Sequence, residues 1–251
     1  MRQIQLITAI VAGLWALAPV GRATAQRPAG LDAVCAVQVV AARRAADSGH
    51  FAAAVARMDS CLTRWAGGPA ADAHTAAWRQ TRQAYALVGQ RAPAPLAAPY
   101  WLHAPPGMTA ADLTHPVTLV EFTWTGCPEC EKGYPTLRTL EAQYRARGVQ
   151  VIFLTYLFGS TPERDSATVE QELAYDTHFW GDAQPLPFPI GVLPRPARNR
   201  YPELFNTYAV IGAPTYYLLD RHGVIRYYQS GHRADLSARL TTVIEALLHA
   251  A

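Results

Sequence analysis

Two cysteines with two residues between them, Cys127 and Cys130 in Trp124-Thr-Gly-Cys-Pro-Glu-Cys130, are the side chains whose type and spacing could do chemistry. Sulfurs so placed can close a disulfide. A thiolate on one can attack a substrate disulfide while the other resolves the mixed product. That chemistry needs a thiol whose pKa is lowered toward working pH, and the flanking sequence offers one. The β-branched, apolar run Val117 to Thr123 predicts a strand, and Cys127 to Arg147 predicts a helix. Cys127 then opens a helix, beside unpaired backbone N–H groups and the positive end of the helix dipole. It is expected to attack, and Cys130, one turn further in, to resolve.

Two charged neighbours bear on the pair. Glu121 lies inside the otherwise apolar Thr118-Leu-Val-Glu-Phe122, so burial is expected, and burial would raise its pKa into a range useful for proton transfer. Glu129, between the cysteines, places negative charge near a developing thiolate; it should raise that pKa and make the disulfide harder to reduce, which favours a reductant. A zinc site would need two further ligands nearby. The other cysteines are far away in sequence and the eight histidines do not cluster, so no metal and no cofactor are expected.

The elements that must position these residues follow an alternating order. After the first strand and helix come a strand over Val149 to Tyr156, a helix over about Asp165 to Phe179, a short strand over Phe188 to Val192 and a helix over Tyr201 to Tyr208. Strands Thr215 to Leu219 and Val224 to Gln229 are joined by Asp220-Arg-His-Gly223 as a hairpin, and an amphipathic helix over Asp235 to His249 closes the chain. This is an α/β order: a mixed central sheet flanked by helices.

An all-helical region precedes it. Apolar residues recur at helical spacing over Leu31 to Ala46, Phe51 to Trp65 and about Asp72 to Val88, with turns at Asp47-Ser-Gly49 and Gly67-Gly-Pro69. Gly49-His-Phe51, Ala54 and Cys61-Leu62 resemble the second helix of a tetratricopeptide unit. Two antiparallel helices meeting at that turn bring Cys35 and Cys61 to one end of the hairpin, so a structural disulfide between them is expected, rather than a second redox pair. The proline-rich residues 91–99 read as a linker, which gives a helical region over 26–90 and a second domain over 100–251.

At the N-terminus, Arg2, the apolar run Ile4 to Val20 and Ala23-Thr-Ala25 have the form of a signal peptide over residues 1–25, cleaved after Ala25. The rival, an uncleaved anchor, is disfavoured by Gly13, Pro19 and the small-residue site. Export places the chain in the periplasm or another extracytoplasmic space, with no stable membrane span after cleavage, where disulfides persist. Of the formal charge of +3, Arg2 and Arg22 lie in the leader. The near-neutral remainder, with scattered arginines, speaks against nucleic acid as a partner.

From about Gly107 to Gly231 the chain resembles the thioredoxin superfamily, in its exported subgroup similar to TlpA and ResA proteins. Glu121, six residues before Cys127, falls where the family keeps a buried acid that takes the resolving thiol's proton. Pro135, eight after Cys127, matches the proline that kinks the active-site helix; Ala213-Pro214-Thr215 matches the cis-proline loop against which substrate lies; Gly231 matches a family glycine. Where the family has Trp directly before the first cysteine, this chain has Gly126, and the nearest Trp is Trp124. The resemblance implies a thiol–disulfide oxidoreductase with Cys127, Cys130 and Glu121 as catalytic residues, and with Pro214, Ala213 and Trp124 facing substrate. Its partners would be protein disulfides or dithiols and an electron-donating redox protein. The competing readings are a peroxiredoxin-like peroxidase, whose pattern wants Thr where Trp124 stands, and a non-catalytic thioredoxin-like binding module.

Overall fold

A computed structural model describes residues 33–65, 73–109, 112 and 115–250 of the 251. The expected leader over residues 1–25, the expected start of the first helix at Leu31, and Gly67-Gly-Pro69 lie outside the described residues.

Three helices come first, α1 (Ala33–Asp47), α2 (Phe51–Trp65) and α3 (Ala73–Leu87). The chain reverses between α1 and α2 at Gly49, whose φ of 79° suits a residue without a Cβ. Cys35 and Cys61 are bonded, with Cα atoms 5.3 Å apart and both residues buried between the helices. A forked Arg82–Asp59 pair, at 2.7 and 2.9 Å, ties α3 to α2.

Beyond them stand β1 (Tyr100–Leu102), β2 (Val117–Phe122), α4 (Pro128–Glu131), α5 (Tyr134–Tyr144), β3 (Val149–Tyr156), α6 (Val169–His178), β4 (Ile190–Leu193), α7 (Glu203–Thr207), β5 (Thr215–Asp220), β6 (Ile225–Ser230) and α8 (Leu236–His249). The six strands form one sheet in the order β1-β4-β3-β2-β5-β6. β4, β3 and β2 run parallel, and β1, β5 and β6 are antiparallel to their neighbours. The central strands are buried on both faces, as their predominance of Val, Leu, Ile and Phe requires. At the β5–β6 turn the Asp220 carboxylate accepts from the N–H groups of His222 and Val224.

Three elements differ from the sequence reading. The helix expected over Cys127 to Arg147 is divided at Lys132-Gly133, both of which keep right-handed backbone angles. Pro135 has no N–H to give to the Glu131 carbonyl, so the hydrogen-bond ladder is interrupted there while the coil continues. α6 begins later than expected, at Thr168. There the Thr168 hydroxyl accepts from the Gln171 N–H while the Gln171 side chain accepts from the Thr168 N–H, a reciprocal cap. β1 was not anticipated; three residues are too few for an alternation to show.

The helices and the sheet share one core. Phe51 packs on Tyr227 at 6.5 Å and Tyr85 on Tyr228 at 5.7 Å, both edge to face. Residues 89–92 add backbone bonds to the start of β6: Gly89 N–H to Ile225 O, Ile225 N–H to Gln90 O and Ala92 N–H to Gly223 O, at 2.7–2.9 Å. A sheet edge is thereby covered. The proline-rich 91–99 has no helix, yet it is held to the sheet, with Leu96 buried and the Tyr208 hydroxyl donating to Ala94 O at 2.7 Å.

Candidate active site

β2 runs into the loop Thr123–Gly126, and Cys127 caps the N-terminus of α4 with extended angles, φ −84° and ψ 105°. Gly126, at φ 73°, makes the turn that brings it there. Cys127 and Cys130 are disulfide-bonded, their Cα atoms 5.2 Å apart. The Cys127 sulfur accepts from the Cys130 N–H at 3.2 Å, so a helix-end donor is already aimed at the atom that would carry thiolate charge. Cys130 is sealed from solvent and Cys127 is 3% exposed. Glu129 faces outward and pairs with Lys132, so the charge expected to bear on the thiolate is offset at the surface.

Glu121 is fully buried on β2. Its cross-strand partners, Phe153 on β3 and Tyr216 on β5, share its face of the sheet, the one that meets the active-site helix. Neither carboxyl oxygen has a hydrogen-bond partner among the described residues, and the same is true of the hydroxyls of Thr123, Thr155 and Tyr216. Burial pushes the Glu121 pKa well above the usual carboxylate range, with a smaller opposing effect from the Thr123 hydroxyl. The Tyr216 hydroxyl reaches the break between α4 and α5: a Cβ on Gly133 would stand 2.6 Å from it and 3.2 Å from the Cys130 carbonyl. The missing Cβ at Gly133 thus leaves room for the Tyr216 hydroxyl beside the Cys130 carbonyl. Tyr134, whose hydroxyl accepts from the Trp180 indole N–H at 3.3 Å, packs its ring on Phe153 with centroids 5.4 Å apart. Its pKa is raised by burial and by the charge of Glu121.

The Ala213–Pro214 peptide is cis, Pro214 is buried and Ala213 half-buried. Gly231 donates its N–H to Pro214 O at 2.7 Å, which joins the proline loop to the end of β6. Trp124 is half-buried and stacks on Tyr201 at 6.3 Å, giving the loop before Cys127 an aromatic wall.

One carboxylate was missed by reading the chain alone. Asp176 on α6 is buried and accepts from the Thr125 hydroxyl at 2.6 Å, two residues before Cys127. Burial pushes it up to about 7, against the Thr125 bond and with help from Glu172. Glu172 is buried as well, and accepts from the backbone N–H groups of Phe158 and Gly159. Fifty-one residues separate Asp176 from Thr125, and no local pattern links them. Among the described residues no three His, Cys, Asp or Glu side chains are grouped to hold a metal ion, and no helix is long and apolar enough to cross a membrane.

A mixed sheet with a Cys-x-x-Cys at the start of a helix after a parallel strand, and a cis-proline just before an antiparallel strand, defines a thioredoxin-like protein. Residues 102–244 match the Redoxin family, more than half of the chain, and the protein belongs to that family. Over 106 residues it is 29% identical to the thiol-disulfide oxidoreductases ResA of Bacillus thuringiensis and Bacillus cereus; the match covers 42% of this chain and half the length of each relative. Among solved structures, a thioredoxin-like superfamily protein aligns with a TM-score of 0.51 at 25% identity, over 63% of this chain and 96% of the other. A thiol-disulfide isomerase from Corynebacterium glutamicum aligns with a TM-score of 0.50 at 27% identity, over 61% and 93%.

Proposed function

We propose that the protein is an exported thiol–disulfide oxidoreductase that reduces disulfides in protein substrates through Cys127 and Cys130. The observation that carries this reading is a bonded sulfur pair at a helix N-terminus, with a backbone N–H already donating to the first sulfur, on a domain whose central strand buries an unpartnered carboxyl at Glu121. The names of the ResA relatives and of the isomerase structure support the thiol–disulfide exchange in this reading.

In the reduced protein Cys127 is the thiolate. It attacks one sulfur of a substrate disulfide, which breaks the S–S bond, forms a Cys127–substrate disulfide and releases the other substrate sulfur as thiolate. Cys130 then loses its proton to the Glu121 carboxylate and attacks the Cys127 sulfur; the second substrate thiolate leaves and the protein disulfide forms. Two electrons pass to the substrate, and an electron-donating redox partner must return them. A proton acceptor under the resolving cysteine is what this direction needs, because Cys130 is the thiol that must be ionised while the mixed disulfide waits. The cis Ala213–Pro214 loop offers backbone to an extended substrate, with Trp124 beside it.

A chain whose four cysteines are all paired in two disulfides fits an oxidising compartment. This supports an extracytoplasmic location reached through the leader over residues 1–25. The peroxidase reading loses to the position of Trp124, which stands where a peroxidatic cysteine would want a threonine. Titrating the Cys127–Cys130 couple against dithiothreitol and glutathione buffers, with thiol trapping, tests the direction. A two-electron couple well below the glutathione range is expected; one well above it would make the protein an oxidant.

A further inference from the structure

Where α1 and α3 meet β6 they enclose a cleft of about 400 Å³ whose inner wall includes Ile211, Gln229, Ser230 and His232. These residues flank both halves of the proline loop: Ile211 is two residues before Ala213, and Ser230 pairs with Thr215 across β5 and β6. Gln80 of α3 donates to Val210 O at 3.3 Å and fixes the helix to that loop. A peptide paired with the backbone at Ala213 advances about 3.3 Å per residue. A residue two positions from the paired one therefore stands roughly 7 Å away, over Ile211, at the cleft.

The cleft is basic, and its charges are unevenly matched. Arg233 pairs with Asp47 at 3.2 Å and Asp235 at 3.0 Å, and Arg239 pairs with Asp235 at 2.7 Å and donates to Asp47 O at 2.7 Å. Two carboxylates thus serve two guanidinium groups. Arg43 of α1 is left over: it is exposed, has no carboxylate partner among the described residues, and its charge bears on the Tyr85 and Tyr228 hydroxyls in the same cleft. His232 adds an Nδ1 that is shut off from solvent and without a hydrogen-bond partner.

We propose that this cleft reads the substrate: it takes an Asp or Glu side chain two or three positions from the cysteine undergoing exchange, with Arg43 as its counter-charge. The inference rests on the exchange activity proposed above. It gives the helical region a part in specificity, because the unmatched charge comes from α1 while the path to it starts at Ala213.

The test uses the whole mature protein and two disulfide-bonded peptides that differ only in Glu or Gln two residues from the cysteine. The reduced parent should react with the acidic peptide roughly three- to five-fold faster, the scale of one exposed ion pair. That ratio should shrink as salt is added. In Arg43→Gln the acidic-to-neutral ratio should fall to about one, while Arg57→Gln, outside the cleft, should keep the parent's ratio. Equal rates for the two peptides in the parent, or a preference that survives Arg43→Gln, overturns the subsite and leaves the exchange reading standing. No exchange with either peptide overturns the exchange reading, and the subsite with it.

Discussion

Replacing Glu121 with Gln keeps the side chain's shape and removes its ionisable oxygen. In the unfolded chain Glu121 titrates near 4.5, and in the fold burial raises it well above that. Between those two pH values the unfolded state has lost the proton and the folded state has kept it. The folded state then binds more protons, and stability contributed by this group falls as pH rises. The slope approaches 1.4 kcal/mol per pH unit, on the order of one tenfold change in proton affinity per unit. Glu121→Gln has no such slope. The buried amide is as short of partners as the carboxyl it replaces, but that adds a constant offset, and Asp176 is common to both proteins and cancels in the difference. Urea unfolding of the two oxidised proteins at pH 5, 6 and 7 reads the effect directly. The stability of Glu121→Gln relative to the parent should climb with pH by up to about 1.4 kcal/mol per unit. Parallel curves for parent and variant would refute the raised proton affinity of Glu121, the property that makes its ionised form a base able to take the Cys130 proton.

Asp176, pushed up to about 7, keeps its proton in weakly acidic solution, is about half ionised at neutrality and loses the proton above; its raised value makes the parent lose stability relative to Asp176→Asn between pH 4 and pH 7, measurable by the same unfolding series, and equal pH dependence of the two proteins would contradict this. Removing the Cys35–Cys61 bond with a double Cys→Ser change opens a loop of 26 residues and should cost about 3.5 kcal/mol by loop entropy, seen as a lower thermal midpoint. Exchange with a small disulfide such as cystine should be retained; loss of that activity would give this pair a redox role. Gly133→Ala drives a methyl against the Tyr216 hydroxyl at 2.6 Å and should destabilise by roughly 1–3 kcal/mol; adding Tyr216→Phe should recover most of that loss, and a double variant no better than the single would show the clash lies elsewhere.

What could be read from the chain is what depends on neighbours in sequence. The β2 run, the Cys-x-x-Cys at a helix start, the Asp220–Gly223 hairpin and the buried placement of Glu121 all follow from local alternation, turn chemistry and one charged residue in an apolar run. Features made by distant residues meeting were not legible. Asp176 finds Thr125 only because α6 returns over the active-site loop. The orphan oxygens of Thr123, Thr155 and Tyr216 are brought beside Glu121 only when three strands align in register. The division of the active-site helix was half-visible: Pro135 announced it, but the role of Gly133 depends on a tyrosine eighty-odd residues later. Nor did a proline-rich segment between two compositions reveal that residues 89–92 would pair with β6 and tie the helices to the sheet.

The most direct test of the central claim is to mix the fully reduced protein with a disulfide-bonded protein substrate, quench with acid, and count thiols and adducts by mass. The parent should lose two thiols for each substrate disulfide opened, and Cys130→Ser should accumulate a one-to-one covalent adduct through Cys127. Cys127→Ser should do neither. Exchange by Cys127→Ser at the parent's rate would contradict the account, because the sulfur at the helix N-terminus would then not be the nucleophile.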